Sequence, residues 1–137
     1  MAGSLDGKTA LVTGGGAGIG RSASLAYARD GARVVVADVN VEGGEETVQQ
    51  IKEAGGEAIL VHANVASPDD TQAMVAQAVE AFGSLDCAFN NAGIGAPAVL
   101  LEDLTPEQWR TVVDINLTGS FLCTQEAFKL MKSQEPR

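Results

Sequence analysis

Thr13-Gly14-Gly15-Gly16-Ala17-Gly18-Ile19-Gly20 joins the first expected strand to the first expected helix, and this stretch decides how the rest of the chain is read. Five glycines within positions 14 to 20 exceed what a tight connection needs. At a strand-to-helix junction, unpaired backbone N–H groups and the helix dipole converge on one spot. Glycines let a phosphate approach those donors closely, so the chemistry indicated is anion binding. The enrichment is local: 16 of 137 residues are glycine and seven of them fall between Gly3 and Gly20.

Four short apolar runs read as buried strands: Thr9 to Thr13, Arg33 to Ala37, Ala58 to Val61 and Leu85 to Phe89. They are apolar without strict alternation, which suggests a sheet covered on both faces. Their ends are 24, 24 and 28 residues apart, room for one crossover helix each time and too far for a hairpin. That rhythm predicts parallel βαβ units. Ser67-Pro68-Asp69-Asp70 offers an N-cap, a proline at the first helical position and an acid at N3; Met74, Val75, Ala78, Val79 and Phe82 follow on one face before Gly83. Thr105-Pro106-Glu107-Gln108 repeats the opening, and Asp30-Gly31 and Ala54-Gly55-Gly56 close the two earlier helices. A last helix carries Leu117, Phe121, Phe128 and Met131 as an apolar stripe, widened by Leu122, Cys123, Ala127 and Leu130, that calls for a cover.

Composition narrows the function. With 45% apolar and 20% charged residues the chain reads as one ordinary domain over residues 1–137. A net charge of −9 argues against nucleic acid as a partner, since such binders place Lys and Arg on phosphates. No apolar run reaches the roughly 18 residues of a membrane span and the N-terminus lacks a signal-peptide pattern, so a cytoplasmic protein is expected. Cys87 and Cys123 have no CxxC partner and His62 is the one histidine, so neither a metal site nor a disulfide framework is expected; buried free thiols are the plainer reading. Trp109 reads as a packing residue or subunit contact, and the acids at 42, 45, 46, 69 and 70 sit near helix starts and need no partner.

Two phosphate-loop readings compete. Gly15-x-x-x-x-Gly20-Arg21-Ser22 is one substitution from a P-loop, with Arg21 in the place of the phosphate-gripping lysine and Asp38 as a Walker B acid, which gives an NTPase alternative. In the dinucleotide reading Asp38 ends the second strand 18 residues past Gly20, where a carboxylate accepts from the adenosine ribose hydroxyls and repels a 2′-phosphate. That favours NAD over NADP. An N-cap role for Asp38 is the competing structural explanation, though Asn40 already suits that task.

The glycine pattern, Thr-Gly-x-x-x-Gly-Ile-Gly, resembles the short-chain dehydrogenases/reductases of the NAD-preferring, single-domain type, and three further motifs agree in order and spacing. Asn90-Asn91-Ala92-Gly93 after the fourth strand is similar to that family's turn along the cofactor; Asn64-Val65 resembles its adenine-contacting pair, usually begun by Asp; Asp114-Ile115-Asn116-Leu117-Thr118-Gly119 resembles the segment bearing the tetrad asparagine. The resemblance implies an α/β fold, a Rossmann-like doubly wound parallel sheet in three α/β/α layers, of which this chain carries the N-terminal portion in strand order 3-2-1-4. It implies a cofactor site of Gly14, Gly16, Gly18, Ile19, Gly20, Asp38, Asn64, Val65, Asn91, Ala92 and Gly93, with NAD as cofactor and no metal. Asn116 is the one catalytic residue carried over, holding a water in the proton relay.

The implied activity is hydride transfer between NAD and a secondary alcohol or ketone. The family's serine and Tyr-x-x-x-Lys are not found: Tyr27 is the one tyrosine and Gly31 stands four residues on. The chain is therefore expected to carry the dinucleotide-binding half and to lack turnover alone, a non-catalytic NAD-binding module being the alternative. In the resembled family the helix at 117–131 packs on its symmetry mate, which implies a dimer or tetramer. Gly95-Ala96-Pro97 and Leu100-Leu101 are candidates for one wall of the substrate pocket.

Overall fold

The computed structural model describes residues 3–136, so Met1, Ala2 and Arg137 of the expected domain lie outside it. Four strands, β1 (Thr9–Thr13), β2 (Arg33–Asp38), β3 (Ala58–His62) and β4 (Cys87–Phe89), form a parallel sheet in the order β3-β2-β1-β4. Helices α1 (Gly18–Arg29), α2 (Val41–Glu53) and α3 (Pro68–Phe82) make the three crossovers. Both expected topology and expected order hold.

Period-2 geometry explains why the strands lack polar alternation. Leu11, Val35, Ala37 and Val61 face α3 and the C-terminal helix, where Met74, Ala78, Leu85, Cys123 and Ala127 complete one core. Their neighbours Ala10, Val12, Val34 and Val36 face the other way, onto Val48 and Ile51 of α2 and the underside of α1. Each side chain of the run Val34-Val35-Val36 is fully buried. At roughly 1.5–3 kcal/mol per buried aliphatic side chain, both faces drive the stacking of three layers.

Helix ends follow their punctuation. Asn40 Oδ1 accepts from Gly43 N–H, Ser67 Oγ from Asp70 N–H, and Thr105 with Gln108 forms a reciprocal capping box. Gly31, Gly55 and Gly83 take positive φ just past their helices.

Three features depart from expectation. The fourth strand starts at Cys87, because the buried backbone of Leu85 is taken by the Gln134 side chain, which donates to Leu85 O at 2.6 Å and accepts from its N–H at 3.3 Å. The helix opened by Thr105 does not stop before the last one: α4 (Pro106–Val113) passes through a π turn (Asp114–Thr118) into α5 (Gly119–Met131). On α5 the buried face is the small one, Gly119, Cys123 and Ala127, while Leu117, Phe121 and Phe128 are 68%, 58% and 67% exposed. A Cβ on Gly119 would stand 2.7 Å from Val65 Cγ2, so close packing selects small residues there. Trp109 is also largely exposed and, among the described residues, belongs to neither core.

Cys123 is a buried thiol as expected, whereas Cys87 is only half-buried; both are free. Among the described residues no helix is long and apolar enough to cross a membrane, and no group of His, Cys, Asp and Glu could hold a metal ion.

Candidate functional site

A cleft of about 390 Å³ opens at the carboxyl ends of β1, β2 and β4. This is the crevice where an open parallel sheet changes direction and where such sheets bind ligands. Gly14 and Gly18 form its floor with Ala17, Asp38 closes one side, Asn64 and Val65 lie beyond it, and Asn91, Ala92 and Gly93 make the opposite wall. Eight of the eleven residues expected around the cofactor thus line one cavity.

Gly16, Ile19 and Gly20 do not line it. Gly16 sits behind Asp38, and a Cβ on it would lie 2.8 Å from Asp38 Oδ2 and 3.0 Å from Gly44 N. Gly20 is buried beneath the loop, where a Cβ would fall 2.0 Å from Gly14 O. Ile19 points outward and is largely exposed. Gly14 and Gly18 both take left-handed backbone, φ +65° and +53°, with open space above Gly18.

The start of α1 differs from the starts of α2, α3 and α4. Ala17 at its N-cap has no side-chain oxygen to offer, no cap hydrogen bond is made and the first turn carries no acid. Unpaired N–H groups and the positive end of the helix therefore face the cleft. A diphosphate fits this cradle: no side chain caps the helix start, and nothing stands within 4 Å of a Cβ built on Gly18.

Asp38 is held from two sides. Gly16 N–H donates to Oδ2 at 2.8 Å and Asn40 N–H to Oδ1 at 2.9 Å, which fixes the plane of the carboxylate and leaves further lone pairs to accept from hydroxyls in the cleft. It is Asn40, not Asp38, that caps α2. Asn64 bends the chain locally: its Oδ1 accepts from Ala66 N–H at 3.0 Å and its own N–H reaches Asp70 Oδ2.

The opposite wall hangs on Thr13. Its buried hydroxyl accepts from Asn91 N–H at 3.0 Å and Ala92 N–H at 3.1 Å, and Asn91 Nδ2 returns to Thr13 O at 3.2 Å. Asn90 Nδ2 donates to Thr124 Oγ1 on α5. Asn116 lies one layer behind the cleft, in the π turn, with both amide atoms on the Ile94 backbone: Oδ1 accepts at 2.8 Å and Nδ2 donates at 2.7 Å. Its side chain braces the end of the wall, and its carbonyl accepts from Ser120 Oγ at 2.9 Å. A π turn of this kind is a frequent companion of functional sites.

Several contributors were not legible as such. Val39, Ile94 and Ile115 add apolar surface to the cleft. Thr13 and Arg21 act from behind. Arg21 does not occupy the cleft as a P-loop lysine would: Nη2 donates to Gly16 O at 2.7 Å, Gly43 O at 3.2 Å and Glu46 Oε2 at 3.1 Å, and Nε donates to Thr47 Oγ1. That geometry removes the residue on which the NTPase alternative leaned. It also gives Glu46 the partner it was not expected to need. His62, opposite Asp38 in the strand register, is exposed and, among the described residues, belongs to no group of His, Cys, Asp and Glu that could hold a metal ion.

Comparison with known proteins agrees with this arrangement. Residues 8–136 match the family described as short chain dehydrogenase. The cyclohexanol dehydrogenase of an Acinetobacter strain is 45% identical over 121 residues, 88% of this chain and 48% of its own length. The 3-oxoacyl-[acyl-carrier-protein] reductase of a Synechocystis strain is 41% identical over 96% of this chain and 53% of its own. Among solved structures, a short-chain dehydrogenase/reductase from Mycobacterium marinum superposes with a TM-score of 0.89 at 36% identity, over 93% of this chain and 51% of that one. Levodione reductase gives 0.91 at 34%, over 95% and 51%. The chain spans about half the length of the relatives it matches, and within that span the fold agrees: it belongs to the short-chain dehydrogenase family and carries about half of that oxidoreductase fold.

Proposed function

We propose that the cleft binds NAD in preference to NADP, with the diphosphate at the uncapped start of α1 and the adenosine ribose at Asp38. The observation that carries this reading is the fixed carboxylate of Asp38 on the same cavity as those spare N–H groups. A 2′-phosphate would meet that carboxylate, and neither Ala17 nor Val39 beside it supplies a compensating charge. Asn64 and Val65 serve the adenine, and Asn91, Ala92 and Gly93 direct the chain of the cofactor along β4.

The reaction class is hydride exchange between NAD and a secondary alcohol or ketone, a reading supported by relatives named as a cyclohexanol dehydrogenase and a 3-oxoacyl-[acyl-carrier-protein] reductase. The cofactor supplies the hydride acceptor; the chain binds, orients and excludes water. To Asn116, braced on Ile94, falls the holding of a water in the proton relay. With one tyrosine and no Tyr-x-x-x-Lys, this chain alone does not pass the proton and gives no turnover; hydride transfer above a Gly14→Val control would overturn that. The working form is a cytoplasmic dimer or tetramer, whose contact is proposed at the exposed stripe of Leu117, Phe121 and Phe128.

The test is calorimetric titration with NAD and NADP. NAD binds at least tenfold tighter, and Asp38→Asn, which keeps the shape and removes the charge, narrows the ratio to within about threefold. Equal or tighter binding of NADP by the native chain contradicts the reading.

A further inference from the structure

The glycine loop is held from the side away from the cleft. Gly15 O accepts from Thr47 Oγ1 at 2.8 Å, and Gly16 O accepts from Arg21 Nη2 at 2.7 Å. Gly15 O thus faces α2, and Gly16 O lies between Arg21 of α1 and Gly43 of α2. A trans peptide is planar and carries its C=O and the following N–H in opposite directions. Fixing Gly15 O on Thr47 therefore turns Gly16 N–H the other way, where it donates to Asp38 Oδ2 at 2.8 Å. Fixing Gly16 O on Arg21 likewise turns Ala17 N–H away from α2, and Ala17 lines the cleft.

The two clamps are joined. Arg21 Nε donates to Thr47 Oγ1 at 3.0 Å, Nη2 also reaches Gly43 O and Glu46 Oε2, and the Thr47 side chain is fully buried. A Cβ on Gly43 would lie 2.7 Å from Gly16 O, so α2 must approach the loop closely for the clamp to form. One planar, multiply donating guanidinium meets these acceptors at once; an ammonium on a flexible stem holds one or two of them without fixing their relative directions.

We propose that Arg21 and Thr47 are positioning residues that divide the cofactor's recognition: Arg21 aims the loop's N–H groups at the diphosphate, and Thr47, through Gly16, aims Asp38 at the ribose. Neither touches the cofactor. The inference rests on the reading of the cleft as an NAD site and assigns the control of that site's donors to one residue of α1 and one of α2 that meet behind the loop.

The experiment compares native chain, Arg21→Met, Arg21→Lys and Thr47→Val by calorimetric titration with NAD and by amide chemical-shift titration with adenosine, which has the ribose and no phosphate. Thermal midpoints are recorded for each. Arg21→Met weakens NAD about tenfold and leaves adenosine within twofold; Arg21→Lys, which keeps the charge and reaches Glu46, restores the midpoint but still binds NAD several-fold more weakly. Thr47→Val weakens adenosine and NAD together. Equal loss of both ligands in Arg21→Met, or full recovery of NAD affinity by lysine, overturns the division and leaves NAD binding itself untouched. A native chain that binds adenosine but not NAD overturns the functional reading and the assignment with it.

Discussion

Replacing Gly20 by alanine tests the architecture of the glycine loop by sign as well as size. Gly20 is the third residue of α1, and glycine to alanine within a helix ordinarily gains about 1 kcal/mol. Here the added methyl would lie 2.0 Å from Gly14 O and 2.7 Å from Asn91 Nδ2, against a floor of 3.0 Å for real contacts, so backbone must move by about 1 Å. The neighbour is backbone, which cannot rotate away. Overpacking of this kind costs about 3 kcal/mol at the upper end of its range. Movement of Gly14 also disturbs the bonds from Asn91 Nδ2 to Thr13 O and Gly14 O, both long, together worth about 1 kcal/mol. Against the propensity gain, the net loss is about 3 kcal/mol, a fall in melting midpoint of roughly 10 °C. Gly55→Ala is the control: its φ is +89° with nothing within 4 Å, so it carries only the left-handed penalty of about 1 kcal/mol. Thermal and urea unfolding of the two variants, read by far-UV circular dichroism, decides. If Gly20→Ala melts at or above the native chain, or no lower than Gly55→Ala, the close approach of α1 to the loop is wrong.

Thr13→Val removes the buried hydroxyl that accepts from Asn91 and Ala92 N–H, leaving both donors unpaired at a cost of about 2 kcal/mol, while Thr13→Ser loses less than half of that; urea midpoints at constant slope measure it. Burial pushes the Cys123 thiol up to about 11 from its ordinary 9.0, so the folded chain keeps a proton that the unfolded chain releases. Stability is therefore full below pH 9 and falls as pH rises from 9 towards 11, a decline that Cys123→Ala reduces, measured by chemical unfolding across that window.

The strand rhythm was legible because both faces of the sheet are covered, which makes each strand a short unbroken apolar run: Val34-Val35-Val36 splits between two cores and shows no polar break. Caps and closing glycines were legible because their chemistry is local, as at Asn40, Ser67 and Thr105. What escaped depends on distance along the chain. Leu85 is taken from the strand by Gln134, 49 residues away, in a tail that reads as merely polar. The stripe of α5 misled because large residues dominate a periodicity count, whereas the layer above Val65 admits only Gly119, Cys123 and Ala127. Helix α4 and α5 read as two because no turn residue is needed to end one, and none ended it: the π turn adds a residue to the spiral and swings Asn116 onto Ile94. In the site, the glycines, Asp38 and the asparagines that line the cleft carried motif signals, whereas Val39 and Ile94 beside them did not. Arg21 stands where a phosphate-gripping lysine would stand, and only the position of α2 reveals that it faces the other way.

The central claim, that this half-fold forms a cleft reading NAD by its ribose, is tested most directly by thermal melting of the purified chain alone and with matched concentrations of NAD, NADP and magnesium ATP. A ligand that binds only the folded state raises its midpoint. The account predicts one cooperative transition, raised by NAD well above any shift with NADP or magnesium ATP. A shift with NADP equal to that with NAD would contradict the role of Asp38, and a shift with magnesium ATP alone would contradict the dinucleotide site itself.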